Sequence, residues 1–366
     1  MKTTNPRKTS VSAAQSPKLI FCFGPGGAGK TTIAASLALA YAQQGKRVCC
    51  ITIDPSKRLV RALGMKPPYS VDPAPVNLAG HPDIHFDALV IRVEPLLQRL
   101  VQESVPAHAQ KILSSHIYQV LVSEVQGLEH YMAIDVLQRI YHGEKHDVVI
   151  VDTPPTRHAI NFLEAPERLF GILNQQFFKF FVHGYGSIGK GSLFFVKDIY
   201  HLGSRLLEKF FGMTFLNELA DFFGYFEDAL EELRDRIQTT LTWMQSPATG
   251  CVLIGYEYVQ HSEMNYYLEH IVQYGISRQG FVFNQSLANT QLGQDRVKKS
   301  DAPWIRAIEQ RIQVQKKTLL EYQKWAEDEN MPFLEIPLVL ETSKPQEIIQ
   351  ATAAVIQQDQ AFLKAL

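Results

Sequence analysis

Eight residues near the start of the chain have the types and spacing to hold a phosphate. Gly24-Pro-Gly-Gly-Ala-Gly-Lys-Thr31 fits the pattern G-x4-G-K-S/T. In that pattern, amides between the glycines point at the α- and β-phosphates of a nucleotide. The lysine reaches the β- and γ-phosphates, and the Ser/Thr hydroxyl ligates Mg²⁺. Gly24, Gly26, Gly27, Ala28, Gly29, Lys30, Thr31 and Thr32 are the expected nucleotide contacts, with Lys30 also serving catalysis and Thr31 the metal. Glycine suits such a loop because a Cβ would hold the backbone away from the phosphates. The flanks agree: Leu19-Ile-Phe-Cys-Phe23 reads as a buried strand, and Thr32 to Tyr41 is rich in helix formers. A helix starting there adds its own preference for an anion.

Three more polar residues stand at the ends of apolar runs. Asp147-Val-Val-Ile-Val-Asp152 is a strand ending in an acid, and Asp152 is expected to hold Mg²⁺ opposite Thr31 and so to serve catalysis. Asp54, after Arg47-Val-Cys-Cys-Ile-Thr-Ile53, has two readings. It orients or deprotonates the attacking water, or it caps a helix starting near Ser56. Asn284, after Gly280-Phe-Val-Phe283, also has two: an adenine contact or a structural strand-end residue. Asn284-Gln-Ser-Leu287 lacks the acid of a guanine-reading N-K-x-D segment, so ATP is the expected nucleotide. A second G-x4-G-K stretch, Gly184 to Lys190, is followed by Gly191 where a metal-ligating Ser or Thr is required, and reads as a helix-to-helix loop.

These residues need a scaffold that brings strand ends together. Strands at 47–54, 147–152, 251–254, 280–284 and 333–338 alternate with helices over about 94–140, 159–245, 304–328 and from 345 onwards. That alternation predicts an α/β fold of the P-loop NTPase type, a mostly parallel sheet flanked by helices with an inserted helical subdomain. Ligands of such sheets sit at the carboxyl ends of strands, where the loop, Asp54, Asp152 and Asn284 all fall. Residues 18–93, 141–158 and 246–366 are assigned to the nucleotide-binding core. Residues 94–140 and 159–245 form the helical subdomain, and residues 1–17, polar and basic with no acid, read as a disordered tail rather than a signal peptide.

Composition narrows the remaining classes. The chain has 366 residues, 46% of them hydrophobic, and a net charge of −1, so no bulk attraction to nucleic acid or an anionic membrane is expected. No apolar run is long enough to span a membrane. Cys22, Cys49, Cys50 and Cys251 form no C-x-x-C and read as reduced, buried thiols of a cytoplasmic protein. His142 and His146 precede a strand and read as structural rather than metal-binding.

Together the motifs resemble the ArsA family of P-loop ATPases, which includes the arsenite-pump ATPase and the targeting factor for tail-anchored membrane proteins. Asp54-Pro-Ser-Lys-Arg-Leu59 is similar to the family's switch I, and Asp152-Thr-Pro-Pro-Thr-Arg-His158 to its switch II. The form of switch II, with Ala159-Ile-Asn-Phe-Leu163 and Gly127-Leu-Glu-His-Tyr-Met-Ala133, is most similar to a bacterial branch of uncertain function, although His130 replaces an expected acid. The resemblance covers roughly residues 18–360. It implies a homodimer, or a heterodimer with a related ATPase, with nucleotides near the interface. It also makes Asp54 the water-orienting acid and Asn284 the adenine contact, with both switches coupled to the helical subdomain.

Three departures from the family bear on function. The family loop carries a second lysine that reaches the partner's phosphates, and Pro25 stands there instead. Lys57, Arg58 or Arg157 would have to replace it, Arg157 being preferred, or a different partner would supply it. Three of the four cysteines read as buried in core strands and none cluster in the helical region, so arsenite is not expected to bind. The C-x-x-C of a zinc-linked dimer is missing.

Thirteen of the 21 phenylalanines lie between Phe170 and Phe226, many in pairs. They form either a fat helical core or a groove for a hydrophobic protein or lipid-like client. The stretch 345–366 carries an apolar stripe without the basic face of a membrane-binding helix, and is expected to pack on the sheet. The leading expectation is a Mg²⁺-dependent dimeric ATPase. The alternatives are a slow ATP-binding regulatory subunit of a hetero-oligomer and, third, a metalloid-efflux ATPase subunit.

Overall fold

The apolar runs become the strands of one eight-stranded sheet in a computed structural model, which describes residues 18–53, 58–67, 69–77, 84–124, 127–154, 159–165, 230–289 and 303–366, with five single positions between 218 and 225. The strands are β1 (Lys18–Phe23), β2 (Val48–Thr52), β3 (Ala74–Asn77), β4 (His85–Val90), β5 (Val148–Asp152), β6 (Thr249–Gly255), β7 (Ser277–Ser286) and β8 (Phe333–Pro337). Their order across the sheet is β3-β4-β2-β5-β1-β6-β7-β8. Every neighbouring pair is parallel except β3–β4. The chain leaves β1 for β2 on one side and later returns to β6 on the other, so the end of β1 is the topological switch point.

The central strands are near-continuous apolar runs because helices cover both faces. Alternate side chains feed two separate cores. Ile20, Cys22, Cys50, Ile150, Val252 and Ile254 join a core built with α1 (Lys30–Gln43), α2 (Arg58–Leu63), α10 (Pro345–Gln358) and α11 (Gln360–Ala365). Phe21, Phe23, Cys49, Ile51, Val151 and Leu253 join the other. That second core is built with α3 (Val93–Ser104), α6 (Leu128–Gly143), α8 (His261–Gln273) and α9 (Pro303–Asp328). Residues 159–165 are helical and place Phe162 against Phe21. Helix α1 is apolar nearly all round, and α10 covers its outer side. Ser36 Oγ donates to Ile349 O at 3.1 Å across that seam. The C-terminal stripe is therefore interior: Ile349, Ile356, Phe362 and Leu366 are fully buried.

Two local readings change. The β3–β4 pair at the sheet edge had no strand expectation. The span 94–140 is not continuous helix but α3, α4 (Ala109–Leu113), α5 (His116–Glu124) and α6, with α7 (Leu230–Met244) packed against α6. The breaks fall at Pro106, at Ser114-Ser115 and at Gly127, whose φ of 85° is left-handed. Most of the phenylalanine-rich block, and the Gly184–Gly191 loop, lie outside the described residues.

Candidate active site

The phosphate loop runs from the end of β1 to the start of α1 and is wedged between three neighbours. A Cβ on Gly24 would sit 2.2 Å from Ile254 O on β6. Gly29 has φ 85° and precedes α1, and a Cβ there would sit 2.2 Å from Asn284 Nδ2. These two glycines are required by close approach and, at Gly29, by backbone sign as well. Gly26 and Gly27 are exposed at the tip, whereas Ala28 is buried.

Lys30 is only 6% exposed and lies folded over its own loop. Its Nζ donates to Gly24 O and Pro25 O, both at 2.9 Å. Tyr267, buried on α8, also donates to Gly24 O, at 3.2 Å. Thr32 O accepts from Ser36 Oγ, inside α1.

Asp152 closes β5 and is buried. Its Oδ2 accepts from Thr31 Oγ1 at 2.8 Å and from Thr52 Oγ1 at 3.0 Å. The next residue, Thr153, donates to Cys22 O on β1 at 2.7 Å. The loop hydroxyl and the strand-end carboxylate thus meet on one spot, as two hard oxygens of the kind Mg²⁺ selects. Asp54 lies outside the described residues, as do Pro155, Thr156, Arg157 and His158 of the second switch. Thr52, two residues before Asp54, is aligned with Asp152 on the neighbouring strand, and Ile53 N donates to Asp152 O at 3.1 Å.

Asn284 is buried near the end of β7, and its Nδ2 donates to Ala28 O at 2.8 Å. Gln285 Nε2 reaches Gly27 O at 3.3 Å. Tyr267, Thr52, Thr153 and Gln285 were not singled out in the sequence. Gln285, next to Asn284 at a strand end, and Thr153, inside the second switch motif, carried signals that could have found them; Tyr267 and Thr52 did not.

All four thiols are free and buried in strands. Burial, with the Asp152 carboxylate adding to it, pushes Cys22 and Cys50 well up, and burial pushes Cys251 up to about 12. His146 Nε2 pairs with Asp87 Oδ2 on β4 at 2.7 Å. Among the described residues no three His, Cys, Asp or Glu side chains converge on a metal position, and no helix is long and apolar enough to cross a membrane.

A profile of the anion-transporting ATPase family matches residues 17–357. The ATPase ASNA1 homolog 1 of Paramecium tetraurelia is 31% identical over 172 residues, which is 46% of this chain and 50% of that protein. The chain therefore spans about half the length of that relative. The ATPase GET3 of Malassezia globosa is 26% identical over 285 residues, 77% of this chain and 76% of that protein. An uncharacterised protein of Streptomyces coelicolor is 30% identical over 152 residues, 40% of this chain and 36% of its own length. Because the family match runs from the strand before the phosphate loop to the C-terminal helices, the chain belongs to the anion-transporting ATPase (ArsA) family.

Proposed function

We propose that the chain is a Mg²⁺-dependent ATPase that works as a dimer and couples nucleotide state to a hydrophobic helical subdomain. The observation that carries this reading is the 2.8 Å bond between Thr31 Oγ1 and Asp152 Oδ2 at the switch point of the sheet. It joins the loop hydroxyl to the strand-end acid across the place where both would share a cation, directly or through water. Bound there, Mg²⁺ would neutralise charge on the β- and γ-phosphates.

The chain's own residues then have distinct tasks. Amides of Gly26, Gly27, Ala28 and Gly29, with those of Lys30, Thr31 and Thr32 at the start of α1, cradle the phosphates. Lys30 exchanges the carbonyls of Gly24 and Pro25 for the β- and γ-phosphates. Asp54 orients the attacking water, so that hydrolysis to ADP and phosphate rests on positioning and charge. Asn284, with Nδ2 held by Ala28, offers its carboxamide oxygen to the 6-amino group of adenine, where guanine presents a carbonyl.

The resemblance of both switches supports the dimer and the client. On this reading residues 94–140 and 159–245 form the responding subdomain, the remainder from residue 18 forms the core, and the protein is cytoplasmic. One observation favours a second reading, a slow ATP-binding subunit of a hetero-oligomer. Pro25 occupies the position of the family's second lysine, and only its carbonyl meets Lys30. Metalloid efflux has less support, because burial raises the pKa of all four thiols and they are shut inside three strands.

Steady-state MgATP hydrolysis by the purified chain tests this directly. Wild type should turn over, Asp54→Asn should bind nucleotide without turnover, and Lys30→Ala should lose binding. Tight MgATP binding by Lys30→Ala would refute the site. Wild-type binding without turnover would move the reading to the hetero-oligomer.

A further inference from the structure

A buried amide stands where an apolar residue would be expected. Helix α9 turns Ile312, Leu319, Tyr322 and Ala326 into the core, and Gln315 shares that stripe at 1% exposure. Burying a carboxamide is costly unless its hydrogen bonds are replaced. Here both ends are used on one short stretch of backbone. Gln315 Nε2 donates to Gln285 O at 3.2 Å, and its Oε1 accepts from Leu287 N.

Those two bonds straddle the point where β7 leaves the sheet. Gln285 has a left-handed backbone, φ 59°, which is unfavourable for a residue with a Cβ and persists only where its surroundings hold it. The turn also determines where the neighbouring amides reach. Asn284 Nδ2 holds Ala28 O and Gln285 Nε2 holds Gly27 O. In a planar trans peptide the C=O and N–H point opposite ways. Drawing both carbonyls toward β7 therefore turns the N–H groups of Ala28 and Gly29 away from it. The Ala28 amide closes only a long 3.4 Å bond to Pro25 O, which a phosphate oxygen can displace. Helix α9 fixes the loop after β6 as well, through Arg311 to Glu257 at 3.0 Å and Tyr322 Oη to Val259 O at 2.7 Å.

We propose that Gln315 is a positioning residue for the phosphate loop: from α9 it holds the left-handed turn at Gln285, so that Asn284 and Gln285 aim the loop amides at the nucleotide. This rests on the nucleotide reading of that loop. Gln315 touches no nucleotide in this scheme and acts only through β7.

A double-mutant cycle read by calorimetric titration with MgADP tests it. Gln315→Met keeps the volume and removes both hydrogen bonds, and should weaken MgADP binding about tenfold. Glycine adopts the left-handed backbone unaided, so in a Gln285→Gly background the same change should cost less than about threefold. Unaltered affinity in Gln315→Met overturns the inference. An equal loss in both backgrounds also overturns it, since that marks a general structural effect. If Gln315→Met does not fold, Gln315→Asn decides: it stays polar but is one methylene too short to make both bonds, and wild-type MgADP affinity in that variant would overturn the proposal. Failure of wild type to bind MgADP would remove the nucleotide reading itself, an outcome distinct from either.

Discussion

Gly29 concentrates the constraints on the phosphate loop in a single Cα. Its left-handed φ opens α1, and the space a side chain would fill already belongs to Asn284 Nδ2. Gly29→Ala should therefore act twice, through backbone strain of about 1–2 kcal/mol and through loss of the Asn284–Ala28 bond. The expected outcome is folded protein whose MgADP affinity is at least about tenfold weaker. Fluorescent-nucleotide titration beside circular dichroism checks it; wild-type affinity would mean the loop tolerates a different path. Lys30, Thr31 and Asp152 were legible in the sequence because each belongs to a local pattern, a glycine loop or a strand ending in an acid. Tyr267 was not, since it reaches Gly24 across 243 residues and nothing around it marks α8 as a loop support. Gln315 hid for the opposite reason: one glutamine in a helix rich in glutamine carries no signal until burial singles it out.

At the scale of elements, α1 connects the loop to the C-terminal helices. It is apolar nearly all round because the sheet covers one side and α10 the other. Ser36 Oγ bonds Ile349 O, and Gln357 Nε2 donates to Ala40 O at 2.8 Å. Truncating Ile349, which is 1% exposed, should leave a cavity against α1 and cost about 2–5 kcal/mol. Thermal unfolding of Ile349→Ala should show a clearly lower midpoint that MgADP still raises; an unchanged midpoint would mean α10 merely rests on the surface. The buried strands and this closing helix could be read from hydrophobic period and length. The edge pair β3–β4 could not. Ala74-Pro-Val-Asn77 is four residues long and contains a proline, which suits only an edge. In β4 the polar Asp87 interrupts the apolar residues, and its reason, the pairing with His146, appears only once β4 lies in the sheet.

The whole molecule gathers its site at the carboxyl ends of the inner strands, and within a single chain that site has one loop lysine. Lys30 lies on the carbonyls of Gly24 and Pro25, so on the proposed reading a bound phosphate must draw the loop's own cation off the loop. Transfer of a phosphoryl group gains greatly from a second cation on the developing charge, often supplied by a partner subunit. Pro25 cannot supply one, which leaves Lys57, Arg58 or Arg157, the last preferred, or a partner of different sequence. These separate by mass action. If two copies of this chain complete one another, MgATP turnover per chain should rise with protein concentration. The rise should follow the range in which light scattering shows dimers, and Arg157→Ala should flatten the curve without weakening MgADP binding. If the complementing cation comes from another protein, turnover per chain should stay low and flat at every concentration, with MgADP still bound. A flat but high rate from a monomer would overturn the dimer altogether, and would require Lys30 with the cations of this chain alone to stabilise the transferred phosphoryl group.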